Sequence, residues 1–414
     1  MVIVFAILLF SLLIVVHELG HFMMAKLFKV RVNEFSIFMG PALIKWNRGE
    51  TQYSIRCIPI GGYCAMEGEN EESDDPHSFQ KASWWKRLII LVAGAAMNFI
   101  VGLLLFAIVF VQNDRIRTLD FAEVEPVQIV ADAEGLQIGD KVIEIDGIAF
   151  TKENEKEMEQ LLLDGAAHDV VVRRGAETIT LENLTVATTT TVWAQSGVQP
   201  GDRLEEINDE NIYISGDFEL LMSLEQDQKY DFVFDRNGEE VIIKDLYVPK
   251  TLFLDSGVLV ERYGISFGSE EASFGSVTGY IWNNAVDAVR NVRLSLQMLL
   301  TGQAGVQDMA GPVGIVQMMT ESVEDVEDTT TAVNTLLLFG AFIAVNLAVM
   351  NLLPIPALDG GHVISLLLVT AIEAITKKKV NPKVEGYIHG IGMILLLILM
   401  VLIMFKDVWG LFAG

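Results

Sequence analysis

Cysteine is nearly absent from this 414-residue chain, which holds only Cys57 and Cys64. Two thiols cannot staple a disulfide scaffold, and neither sits in a metal-binding pattern of its own, so both read as free. Basic residues are scarce as well. Lys and Arg number 29 against 55 Asp and Glu, a formal net charge of −26. That balance excludes the basic surface that nucleic-acid binding needs and reads as a solvated acidic exterior. Some stretches lack basic charge altogether, such as Val2–Ala25. This N-terminal run has no basic n-region and no small-residue cleavage site after it, which argues against a cleaved signal peptide.

What replaces the missing charge is apolar surface. Hydrophobic residues make up 51% of the chain, and the mean hydropathy is +0.40. Four runs, Val2–Ala25, Leu88–Val111, Ala332–Leu353 and Ile388–Phe405, approach or exceed the roughly 20 residues that a membrane crossing needs. The expected fold is a multi-pass α-helical membrane protein with four transmembrane helices. Lys26, Lys29 and Arg31 follow the first run, and Lys86 and Arg87 precede the second. Lys377, Lys378, Lys379 and Lys383 lie between the third and fourth. Positive charge stays on the cytoplasmic side, which places residues 29–85 and 354–386 there. Both termini and the long segment after the second run are then outside.

Between the first two runs, Gln52–Tyr63 reads as a strand entering a Gly61-Gly62 turn, and the acidic stretch Glu67–Asp75 as a solvated loop. The long outer segment repeats itself. Gly135-Leu-Gln-Ile-Gly-Asp-Lys-Val-Ile-Glu-Ile-Asp-Gly147 matches Gly197-Val-Gln-Pro-Gly-Asp-Arg-Leu-Glu-Glu-Ile-Asn-Asp209, and at the same offset Arg174 meets Arg236 and Glu177 meets Glu239. The copies resemble PDZ domains of the bacterial protease type, α+β modules that bind extended peptides by strand addition. Asp209 stands where many such turns have glycine. Tyr280–Leu300 reads as an amphipathic helix, either at the membrane surface or buried beneath the repeats. The expected segments are 1–28 and 85–112 as the first two crossings, with a cytoplasmic or re-entrant β region at 29–84. The two repeats fall at 113–185 and 186–262, and the amphipathic helix with its linker at 263–330. The third crossing takes 331–362, and a loop with the fourth takes 363–414.

The chemistry centres on His17-Glu-Leu-Gly-His21. On a helix the two imidazoles share a face and can reach one ion, while Glu18 can approach a water on that ion. Zinc would lower the pKa of that water and polarise a scissile carbonyl. Ionisable side chains within a membrane span cost about 2.5–3.5 kcal/mol each when charged at the helix centre and are seldom there without a function. A catalytic zinc needs a third ligand. In Asn351-Leu-Leu-Pro-Ile-Pro-Ala-Leu-Asp-Gly-Gly-His362 the prolines stop the third run, and either Asp359 or His362 can supply it. Non-helical backbone at that depth requires burial in protein or a wet cavity.

These residues resemble the site-2 protease family (peptidase M50), in its bacterial RseP-type branch. The carriers are H-E-x-x-H in the first run, N-x-x-P-x-P-x-L-D-G at Asn351–Gly360, and the paired repeats between the second and third. Ile60-Gly-Gly-Tyr63 resembles the family's membrane-associated β-loop, Gly94-Ala-Ala-Met-Asn98 its G-x-x-x-N element, and Met309-Ala-Gly-Pro-Val-Gly314 a weaker match. Ala95 departs from the proline often found after that glycine. The resemblance implies zinc on His17, His21 and Asp359, with Glu18 activating water. It implies substrate or transition-state contacts from Asn351, Asn98, Gly61, Gly62 and Tyr63, although either Asn could instead bond helix to helix. It further implies an intramembrane metalloendopeptidase of the plasma membrane, with its active site toward the cytoplasm. The substrates would be transmembrane proteins such as anti-sigma factors, trimmed beforehand by another protease and filtered by the PDZ pair. A metal transporter and an inert adaptor are the rival readings. A transporter would show inverted repeats among its spans, and an adaptor would not need Glu18.

Overall fold

The computed structural model describes the chain except residues 1, 70–72, 131–134, 225–227, 303–304, 306–308, 325, 327, 378–381 and 414, and the side chains of 60, 224, 382–385 and 411–413. Of the basic residues used for orientation, Lys378 and Lys379 lie outside the described residues, as does the Lys383 side chain. In chain order, α1 (Val2–Leu27) leads to β1 (Val32–Arg48), β2 (Thr51–Met66) and α2 (Trp84–Phe110). The middle of the chain holds β3 (Arg115–Val124), β4 (Val127–Ile129), β5 (Lys141–Ile145), β6 (Ile148–Ala149), α3 (Glu155–Leu162), β7 (Ala167–Arg174), β8 (Glu177–Thr185) and β9 (Thr188–Thr190). It continues with α4 (Val192–Ser196), β10 (Arg203–Ile207), β11 (Glu210–Asn211), α5 (Gly216–Leu224), β12 (Lys229–Arg236), β13 (Glu239–Tyr247), β14 (Thr251–Asp255), β15 (Val258–Arg262) and β16 (Ile265–Glu271). The helices α6 (Phe274–Thr301), α7 (Pro312–Glu324), α8 (Thr329–Asn351), α9 (Asp359–Thr376) and α10 (Pro382–Ala413) close the chain. Residues 1–113 and 277–414 form one unit and 114–276 a second.

In the helical unit, five described helices are long and apolar enough to cross a membrane: α1, α2, α8, α9 and the Gly386–Gly410 part of α10. The fifth is α9, which occupies residues expected to be loop. Its cause is local. Pro354 and Pro356 lack the N–H that a helix needs, so α8 ends at Asn351, and the chain re-enters a helix at Asp359. Glycines then let the helices approach closely. A Cβ on Gly20 would lie 2.3 Å from the Ala93 carbonyl oxygen, and one on Gly102 2.6 Å from the Val345 side chain. Such small-residue contacts replace the hydrophobic drive that a lipid solvent does not supply. At the other end of α10, Asp407 accepts the Gly314 N–H at 2.9 Å, which fixes the Met309–Gly314 stretch at the start of α7. In α6 the polar residues Asn284, Asp287 and Arg290 point inward, while Arg293 is exposed. Asp287 and Arg290 are buried and paired at 2.6 Å, while Trp282 and Leu300 are exposed.

The two long strands β1 and β2 bend back on each other through several bulges. Residues 34–37 pair with both 52–55 and 62–65, and 44–47 pair with 52–55. The segments therefore lie side by side in the order 62–66, 32–37, 51–56, 42–48. Ile55 is interior, between Ile37 and Ile44, whereas Gly62–Met66 is an edge. The hairpin is tied to α1 where the Ser11 hydroxyl donates to the Pro59 carbonyl at 2.8 Å. Ser11 lies six residues before His17, about 9 Å along the helix axis. Apolar side chains such as Leu43, Ile44 and Trp46 are exposed on this hairpin.

In the β unit the sixty-two-residue repeat is structural. The elements β5, β6, β7 and β8 recur at the same offset as β10, β11, β12 and β13. Asp209 takes the left-handed backbone (φ 64°) that Gly147 takes in the first copy (φ 80°), so the turn survives the missing glycine. The expected boundary between copies at 185/186 does not describe the sheets. β3 lies beside β10 in the second copy's sheet, and β14 and β15 join β5 in the first copy's. Phe121 exchanges backbone hydrogen bonds with Gly201 and Asp202 just as Leu259 does with Gly139 and Asp140. Each copy thus borrows a strand from beyond the other, a long-range pairing that local patterns cannot reveal.

Both copies are pinned by one ion pair. Arg174 grips Asp140 (2.7–2.8 Å) and the Gly135 carbonyl; Arg236 grips Asp202 (2.6–2.7 Å) and the Gly197 carbonyl. The Arg174 guanidinium holds the Asp140 carboxyl below its usual range. For Asp202, burial pushes the carboxyl up but the Arg236 bonds outweigh it. A depressed carboxylate stabilises the fold above its unfolded pKa and loses that contribution as pH falls through the folded one. Arg236→Leu leaves a buried charge unpaired and should destabilise this unit by about 3 kcal/mol at neutral pH. The deficit should shrink below about pH 4 as Asp202 protonates, as read by proteolysis rates of the full-length protein.

Candidate metal centre

His17 and His21 lie one helical turn apart on α1, near its C-terminal end. Asp359 opens α9, immediately after the proline break. The fold brings the three together: His17 Nε2 and His21 Nε2 lie 3.1 and 3.4 Å from Asp359 Oδ2, and 3.2 Å from each other. Among the described residues these three form the one cluster of His, Cys, Asp and Glu suited to a metal ion. Donors about 2.0–2.1 Å from a tetrahedral zinc stand about 3.3 Å apart, which matches this triangle. Asp359 Oδ2 is buried and makes no hydrogen bond, an orphaned acceptor of the kind an ion satisfies. The residues fit zinc.

Neighbouring groups select the donor atoms. His21 Nδ1 lies 2.8 Å from the Ile90 carbonyl, which can only accept, so Nδ1 carries the proton and Nε2 keeps its lone pair toward the centre. Asn351 sits 3.5 Å from His17 Nδ1. With its amide oxygen turned inward it would accept the Nδ1–H in the same way. Three glycines make room. A Cβ on Gly94 would lie 2.4 Å from His21 Nε2 and 2.7 Å from His17 Cε1. Cβ atoms on Gly360 and Gly361 would each lie 2.3 Å from backbone oxygens of the preceding turn, those of Leu352 and Leu353 and that of Ile355.

A cavity of about 150 Å³ opens on the triangle, lined among others by Glu18, Glu69, Asp359 and His362, with room for an ion and several waters. Glu18 lies beside Gly62, and the backbone N–H of Cys64 on the β2 edge points to its carboxylate. Glu69 was expected in a solvated loop. Its side chain instead enters the cavity wall, and burial pushes its carboxyl up to about 7. Residues 70–72 of that acidic stretch lie outside the described residues.

The other expected site residues divide. Gly62 borders Glu18 and Asn351 borders His17. Gly61 adopts φ 84° against Met39. The Tyr63 hydroxyl instead receives an N–H from Arg56 at 2.5 Å, in a cluster with Glu34. Asn98 is buried with its Oδ1 unpartnered, and it does not line the cavity. His362 lines the cavity but stacks on His389, with ring centroids 3.7 Å apart, and stands outside the ligand triangle. Glu69 and His389 carried no motif that could single them out.

A family model for peptidase family M50 matches residues 5–399. The chain belongs to peptidase family M50, the site-2 proteases. A Clostridium acetobutylicum protein is 32% identical over 421 residues, covering 98% of this chain and 97% of its own. The regulator of sigma-W protease RasP of Bacillus subtilis is 27% identical, with 98% of each chain covered. The zinc metalloprotease RasP of Oceanobacillus iheyensis is also 27% identical, at the same coverage. As an M50 member the chain is a membrane-embedded protease with zinc as its cofactor.

Gly94→Ala tests the packing of this centre. The added methyl has nowhere to go except into the imidazoles, so zinc affinity measured by chelator competition should fall about tenfold or more. The thermal midpoint of the metal-free protein should shift far less.

Proposed function

We propose that this chain is an intramembrane zinc metalloendopeptidase that cleaves peptide bonds within transmembrane segments of substrates. The convergence of His17, His21 and Asp359 beside Glu18, within helices that can cross a membrane, carries this reading. His17 Nε2, His21 Nε2 and Asp359 would hold the ion, which when bound acidifies water and polarises a carbonyl. Glu18 takes the proton from the attacking water and returns it to the leaving amine. The edge amide that orients Glu18 belongs to Gly62–Met66. Among the described residues that segment pairs on one side only, so an unwound stretch of substrate can add there as a strand. Asn351 acts first on His17, with oxyanion contact a further role. Asn98, buried and unpartnered, serves helix packing or a substrate group brought to it.

We read α8 and α9 as two halves of one crossing broken at the prolines. Asp359, the first residue of α9, meets His17, and Leu366 shares a core cluster with Ala25 of α1 and with Val30 and Val32 just beyond it. Four crossings then remain, with both termini and the β unit outside and the active site toward the cytoplasm. The sigma-W relative supports anti-sigma factors as the substrate class, trimmed beforehand by another protease. The interleaved pair in the β unit, read as PDZ domains, would screen out untrimmed substrates.

Glu18→Gln should retain zinc and lose cleavage of a model transmembrane substrate by at least about a hundredfold; unaffected cleavage would end this mechanism. Removing residues 114–276 as one piece should extend cleavage to substrates that keep their outer domains, and unchanged discrimination would overturn the filter.

A further inference from the structure

The turn that delivers Asp359 is held from outside itself. Pro354 and Pro356 have no N–H. Ile355 donates to Leu353 and Leu358 to Ile355, within the turn. The Ala357 N–H has a different partner: it donates to His389 Nδ1 on α10, at 3.1 Å. Ala357 also has φ 78°, a left-handed backbone that an alanine does not choose alone. Something in the tertiary structure must impose it, two residues before the ligand.

His389 is built to do so. It is 8% exposed. Nδ1 can accept only if the proton sits on Nε2, and Nε2 faces the Ser365 hydroxyl on α9 at 3.2 Å. The ring lies flat on His362, one turn beyond Asp359, with the planes 3° apart. One turn further along α10, Gly392 lets the helix close on the same turn: a Cβ there would lie 2.4 Å from Pro356 Cβ and 2.9 Å from its carbonyl oxygen. His389 does not line the cavity. We infer that His389 is a positioning residue, which sets the Asp359 carboxylate by accepting the Ala357 N–H and so makes α10 part of the metal centre's support.

This inference rests on the zinc reading of the triangle, and its test separates the two. The full-length protein in detergent would be measured as wild type, His389→Phe, which keeps a flat ring without an acceptor, and His389→Asn, which keeps an acceptor near the Nδ1 position. Zinc affinity is read by chelator competition, and ligand geometry by the visible absorption of the cobalt-substituted protein. H389F should bind zinc about 10–100-fold more weakly with an altered cobalt spectrum, and H389N should stay within about threefold of wild type. An H389F affinity within about twofold of wild type, or equal losses in H389F and H389N, would overturn the inference. A wild type that binds no zinc would overturn the reading of the site instead. Should H389F not fold, Ser365→Ala decides. Freeing the His389 tautomer should weaken zinc severalfold, and an unchanged affinity would overturn the role.

Discussion

The meeting of one carboxylate with two imidazoles inside an apolar bundle is the constraint on which the helical unit turns. Each of these groups is expensive in hydrocarbon unless partnered, so the surrounding helices are arranged to partner them. Gly20 and Gly94 bring α1 and α2 together closely enough for the Ile90 carbonyl to reach His21. The turn at Pro354–Leu358 between α8 and α9 brings in Asp359. Irregular backbone at that depth is stable because glycines, Ser365 and His389 enclose it.

The same economy of bulk explains where reactivity is placed. Glu18 is one residue off the ligand face, so it lies against the β2 edge rather than in the triangle. An edge strand is normally a liability. Beside Glu18, in the proposed mechanism, it is where an unwound substrate would satisfy its own backbone. The bulges of the β1–β2 hairpin leave Gly62–Met66 at the edge and Ile55 in the interior.

The β unit obeys a different logic. Its two copies are specified by the same turn and the same Asp–Arg pair, but each sheet is completed by a strand from beyond the other copy. Removing one copy by sequence boundary would therefore strip strands from both. This interleaving makes the pair one folding body.

The local features were legible in the chain alone. The apolar runs, the helical spacing of His17, Glu18 and His21, the proline stop and the sixty-two-residue repeat are short-range patterns, and each maps directly onto an element. The sequence left Asp359 and His362 open as third ligand, because both follow the same turn; only the packing of α9 against α2 and of α10 against α9 brings Asp359 to the imidazoles and stacks His362 on His389. It took residues beyond Asp359 for loop, because a Lys-rich flank obscured an 18-residue helix. Tyr63 carried a motif yet turned to Arg56, while Glu69 and His389 carried none yet entered the site or its support. Strand exchange, cavity walls and hydrogen bonds to a strained turn join residues far apart in the chain, and no local pattern records them.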